Sequence, residues 1–184
     1  MMRYRAWLAV FFLAVAPIPV AAQQGLFARF AVGPGVSVGT ASIKGTSPVL
    51  VTKDHALGYG ITDRFAVHEA DFGGLIRKKV GDYEYINLDG LGLGCTVFLP
   101  HSTLVSLSAG HGQVTFAHHW WEATGDGKNE GVAVIASVRR EWLIARRWAL
   151  GVGAPATFFR TSGDDYTFFN VGIVGSLSFY LTPR

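Results

Sequence analysis

Charge, cysteine and long apolar runs are all scarce in this sequence. Charged residues make up only 16% of its 184 positions, against roughly 25% in an ordinary soluble domain. Cys95 is the single cysteine, which excludes a disulfide scaffold. With 49% hydrophobic residues the chain is not a disordered tail, and no heptad repeat supports a coiled coil. The formal charge is +3, and two of the 16 basic residues are Arg3 and Arg5 at the very start. Without them the balance is 14 − 13 = +1, so nucleic acid is not an expected partner. What the chain does have is glycine, 23 residues, and aromatics, 13%.

The one uninterrupted apolar stretch is Ala6–Ala16, behind the two arginines and ahead of Pro17, Pro19, Val20 and Ala22. Eleven residues are too few for a membrane-spanning helix, which needs about 20. A basic start, a short apolar segment and small residues before the cut describe an export signal. The expectation is therefore a leader over residues 1–22 and a mature chain of 184 − 22 = 162 residues.

Beyond Ala22 the recurring pattern has period two, the mark of strands with one apolar face. Phe30, Val32, Pro34, Val36 and Val38 alternate with Ala31, Gly33, Gly35, Ser37 and Gly39. Leu91–Leu99, Val105–Ala109, Trp148–Phe159 and Val171–Leu181 repeat the pattern. Turn residues divide the mature chain into strands near 26–40, 54–62, 65–78, 83–98, 103–121, 130–143, 148–161 and 166–181. Tight connections at 63–64, 100–102 and 144–147 alternate with mostly longer, more polar ones.

These features predict an all-β, eight-stranded antiparallel up-and-down transmembrane β-barrel. In a soluble carrier of the lipocalin kind the apolar face would line a cavity and the other face would carry charge. Here the other face is mostly Gly, Ala, Ser and Thr, which suits a cramped lumen and turns the aliphatic face toward lipid. Aromatics gather at both strand ends, as interfacial girdles do. Phe27, Phe65, Phe98, Trp142, Trp148, Phe179 and Tyr180 lie near the tight turns. Tyr83, Tyr85, Trp120, Trp121, Phe158, Phe159, Tyr166, Phe168 and Phe169 lie near the long loops.

Segments 57–68, 92–100, 140–143 and 148–152 resemble small proteobacterial outer-membrane β-barrel proteins, in which strand, short turn and aliphatic strand form each hairpin. The resemblance implies this fold, the outer membrane of a Gram-negative bacterium, and contact with lipopolysaccharide and phospholipid. It also implies delivery by the barrel-insertion machinery, although the chain ends Tyr180-Leu181-Thr182-Pro183-Arg184 rather than on an aromatic residue.

Arg139 and Glu141 share the inward face, and a buried charge needs a partner. They are expected to form a lumenal network with Arg29 or His68. Arg140, Trp142, Arg146, Arg147 and Trp148 form a candidate patch at the periplasmic rim for lipid phosphate or an envelope protein. In the third strand Phe65 and Val67 lie out of phase with Ala70 and Phe72, so a β-bulge is expected there to keep Glu69 and Asp71 out of lipid; failing that, this wall contacts another protein. Eight-stranded outer-membrane barrels include lipid A deacylases and palmitoyltransferases that pair Ser with His, and six histidines (55, 68, 101, 111, 118, 119) raise that alternative. No nucleophile, base and orienter fall into a recognisable spacing. His118 and His119 with Glu122 are candidate metal ligands at an outer rim, but adjacent strand residues point apart, so the two histidines do not easily share one ion. Neither catalysis nor a metal or cofactor is expected. The function expected is a structural or accessory envelope role, with a partner bound through the exposed loops or the barrel wall and without a conducting pore.

Overall fold

A computed structural model describes residues 24–39, 45–120, 128–162 and 166–181. The expected leader over 1–22, and Trp121 and Glu122, lie outside the described residues. Among the described residues nine strand segments follow one another: β1 (Gly25–Gly39), β2 (Gly45–Thr62), β3 (Phe65–Val80), β4 (Tyr83–Leu99), β5 (Thr103–Ala117), β6 (Lys128–Ala145), β7 (Trp148–Thr161), β8 (Thr167–Gly172) and β9 (Val174–Tyr180). Each pairs antiparallel with its neighbours, and β1 closes the ring by pairing with β2 on one side and with β8 and β9 on the other. β8 and β9 are two halves of one strand, so the ring has eight staves.

The interruption between them has a local cause. In register with Ile173 across the seam stands Pro34, which has no N–H to give to the ladder. Only the Ile173 N–H to Pro34 carbonyl bond, 3.0 Å, remains. The register of β1 against β2 shifts at the same place, between Gly33 and Gly35.

Closure fixes the geometry. One row of paired residues runs Phe27, Gly58, His68, Gly94, Ser108, Ile135, Thr157, Asn170 and back to β1 at Ser37. The return is displaced by 37 − 27 = 10 residues. Such a stagger inclines the strands by about 40° to the barrel axis.

The aliphatic face looks outward. Val36, Leu93, Val152 and Ile173 are 51%, 76%, 51% and 66% exposed, whereas Ala133, Ala149 and Val174 are wholly buried inside. The lumen is filled more heavily than small residues alone would manage. One apolar cluster near the long loops contains Phe72, Ile76, Ile86, Leu88, Phe159 and Phe168; a smaller one near the tight turns contains Phe27, Phe98, Leu104 and Tyr180. Three of the seven aromatics expected in the tight-turn girdle and two of the nine expected in the long-loop girdle are therefore buried inside. Phe65, Trp148 and Phe169 point out, but Phe27, Phe98, Phe159, Phe168 and Tyr180 are core residues.

Two sequence expectations need correction. β2 begins at Gly45, not near 54, because Gly45–Lys53 pairs along β1 despite its loop-like glycine, serine and proline. The bulge expected in β3 is absent: β3 runs against β4 in continuous register from Phe65 to Arg77. Phe72 is buried in the lumen, so Glu69 and Asp71 do face outward. The nearby irregularities lie in β1, between Gly33 and Gly35, and in β2, between Val49 and Val51 and between Gly60 and Thr62.

Glycine is needed inside where neighbouring staves crowd. A Cβ at Gly151 would lie 2.6 Å from Ser176 Oγ and 2.8 Å from Glu141 Cγ. Gly151→Val should therefore lower stability by about 1–3 kcal/mol, read as a lower urea midpoint of the detergent-solubilised barrel.

Candidate functional site

The inward polar residues collect in a belt between the two apolar clusters. Asp54 of β2 is its centre. Arg139 donates from Nη2 to Asp54 Oδ2 at 2.6 Å, and Arg29 Nη2 stands 3.7 Å from Asp54 Oδ1. All three side chains are at most 4% exposed. Below them Glu141, fully buried, accepts hydrogen bonds from Ser178 Oγ and Tyr180 Oη, both 2.7 Å. On the opposite side His68 Nε2 lies 3.0 Å from Ser108 Oγ, and Thr96 Oγ1 is 2.8 Å from Ser106 Oγ.

Arg29, His68, Arg139 and Glu141 thus all point into the lumen, but not as one linked set. The arginines turn to Asp54, while Glu141 is held by two hydroxyls. Asp54 was not singled out from the sequence, because it fell at the edge of an assigned strand. Its phase with Thr52 and Ala56, both buried, is the signal that places it inside. Two guanidinium ions and two carboxylates balance the belt, although Arg29 Nε and Nη2 and Arg139 Nε and Nη1 have no hydrogen-bond partner among the described residues. The packed lumen keeps ordinary acyl or sugar substrates from the His68–Ser108 pair, which is 5% and 3% exposed.

The rim patch lies outside. Arg140 stacks over the Trp142 ring at 5.7 Å, and Trp148 packs against Phe179 with ring centroids 4.9 Å apart. Ala145, Arg146, Arg147 and Trp148 line a shallow surface depression at the tight turn. The two turn arginines are exposed.

The remaining histidines are dispersed. His55 faces outward against the Phe30 ring, and its Nδ1 accepts a bond from the Ala31 N–H at 3.2 Å. His101 occupies a left-handed turn position, φ 60°, beside Ser102 at 62°. His118 donates to the Asp82 carbonyl at 3.1 Å and stacks on Tyr83. Among the described residues no three His, Cys, Asp or Glu side chains are grouped so as to hold a metal ion.

No protein-family model matches the chain, and no curated protein matches it in sequence. Solved structures do match in shape. The attachment invasion locus protein Ail of Yersinia pestis superimposes with a TM-score of 0.52 at 10% identity, over 85% of this chain and 100% of that one. Neisserial surface protein A superimposes with a TM-score of 0.54 at 14% identity, over 86% of this chain and 100% of that one. The fold is that of the small eight-stranded outer-membrane barrels.

Asp54 is the residue on which the belt depends, since its removal leaves two buried cations facing each other. Asp54→Asn should cost about 3–5 kcal/mol, and Glu141→Gln about 1–3 kcal/mol, through one hydroxyl left without its acceptor. Unfolding in urea, followed by the mobility shift of unheated protein on gels, measures both. An unchanged midpoint for Glu141→Gln would refute its structural role.

Proposed function

We propose that this chain is exported by its 1–22 leader to the outer membrane of a Gram-negative bacterium. There it serves as a non-enzymatic, non-conducting component of the envelope. Its work is done on its exterior. The rim patch of Arg140, Trp142, Arg146, Arg147 and Trp148 holds lipid phosphate or an envelope protein, with lipopolysaccharide and phospholipid around the wall.

The observation that carries this reading is the filled lumen. Apolar side chains fill both ends, and between them Asp54 meets two arginines while Glu141 is held by Ser178 and Tyr180. An eight-stranded barrel has room inside for side chains and no more. The interior therefore offers neither a path for solute nor a cleft for substrate, and the outer surface remains. Arginines beside tryptophans at a turn suit a membrane–water boundary, where guanidinium forks bind phosphate and indoles anchor.

The rival is a lipid A-modifying hydrolase or acyltransferase using a His–Ser pair. It is disfavoured because His68 and Ser108 meet inside the barrel, away from acyl chains. Mass spectrometry of lipid A from cells with and without the protein separates the two. The acyl pattern should be identical; a gained or lost acyl chain would establish the rival.

A further inference from the structure

The outer wall has two unlike sides. From β7 through β8 and β9 to β1, outward positions such as Leu150, Val152, Phe158, Val171, Ile173 and Phe30 form an apolar surface, with Arg160 only at the long-loop end of β7. On β2, β3 and β4 the outward row changes character: Lys53, His55, Glu69, Asp71 and Asp89 all stand on it.

Their depth makes this unusual. Phe65 marks the tight-turn end of β3, and Glu69 and Asp71 follow four and six residues later on the same outward face. At about 3.3 Å per residue and a tilt of about 40°, Glu69 stands roughly 10 Å and Asp71 roughly 15 Å up a hydrocarbon belt about 25 Å tall. Both belong to the middle of the bilayer. Lys53 partly compensates, binding Asp71 Oδ1 at 2.7 Å and Asp89 Oδ1 at 2.8 Å. One cation against two carboxylates leaves that triad negative. Glu69 has no hydrogen bond or ion pair among the described residues, and its partners across β2 and β4 are Leu57 and Leu93. At this depth the wall carries a net charge of −2 (Lys53 against Glu69, Asp71 and Asp89); the next outward cations on β3, Arg77 and Lys79, stand six and eight residues beyond Asp71, toward the long-loop end.

We infer that the β2–β4 wall is an intramembrane docking surface for a membrane-spanning protein segment that brings an arginine or lysine to the depth of Glu69. Acyl chains offer no donor at this depth, and lipid headgroups lie too far away to reach it. A second copy fits less well. A two-fold axis along the membrane normal sets equal depths against each other, so two acidic patches would meet. A cation from a different protein would pair with Glu69, shed the cost of a carboxylate facing lipid, and leave the Lys53 triad at the edge of the contact. This rests on the reading that the protein works through its exterior.

The test uses the full chain in native outer membranes. Leu57 and Leu93, which flank Glu69, are replaced in turn by p-benzoylphenylalanine, with Val152 on the opposite wall as control. Irradiation should give a protein adduct at 57 and 93 and not at 152. The adduct should fall at least tenfold in Glu69→Gln and Glu69→Lys barrels that retain folded gel mobility, and its cross-linked peptide should be a spanning segment with Arg or Lys at the cross-link depth. An adduct insensitive to Glu69→Gln, an adduct to the chain itself, a partner segment without a cation, or lipid adducts alone would overturn the inference. These failures with an unaltered lipid A pattern remove only the docking surface; an altered acyl pattern removes the reading beneath it.

Discussion

Everything in this molecule follows from a sheet that must close on itself with a ten-residue offset. Closure leaves no strand edge, so backbone donors and acceptors are satisfied within the ring and the whole wall can sit in lipid. It also divides every stave into two faces with no exchange between them. An outward residue is solvated by hydrocarbon or by another protein, and an inward one must be packed or paired. At Pro34 the ladder cannot be completed, and the last stave is divided opposite it at Ile173.

The inside solves its packing problem by layers. Aromatic and aliphatic clusters fill each end, and the belt between them holds Asp54 against two arginines and Glu141 against Ser178 and Tyr180. A buried ion pair contributes little net stability compared with an apolar isostere, yet losing one member is costly. In this barrel the belt ties β1, β2 and β6 together across the lumen, linking staves that are not all neighbours in the ring. The outside is different in kind. There one cation, Lys53, is shared between Asp71 and Asp89 on the β2–β4 wall.

Much of this was legible in the sequence because strand period and lumen size are local constraints. Alternation alone put Val36, Leu93, Val152 and Ile173 on the lipid side and Arg139 and Glu141 on the other. The first half of β2 was not legible: Gly45, Ser47, Pro48 and Lys53 read as a loop, and only pairing with β1 makes them a strand. Asp54 and Arg139 are 85 residues apart, a contact that no local pattern encodes. The β3 register was misjudged for a related reason. Excluding charge from lipid is sound for an isolated strand, but Lys53 on the neighbouring stave meets Asp71, and the phase of Phe72 is set by the lumen it fills. Position near a strand end does not separate a girdle aromatic from a plug: Phe27, Phe98, Phe159, Phe168 and Tyr180 fill the barrel ends. The rim arginines and tryptophans could be placed from the turn alone, whereas what they bind is a matter of surface chemistry that the fold leaves open to experiment.

The central claim is that the greasy face of each stave touches hydrocarbon. Its most direct test is nitroxide accessibility in lipid vesicles, in a Cys95→Ser background, with single cysteines at outward Leu107, Val152 and Ile173 and inward Ala133, Thr157 and Ser176. The account predicts that oxygen dissolved in the bilayer relaxes the first three labels strongly and the last three weakly. The opposite order, or a chain that stays in aqueous solution with the first three labels shielded, would contradict it.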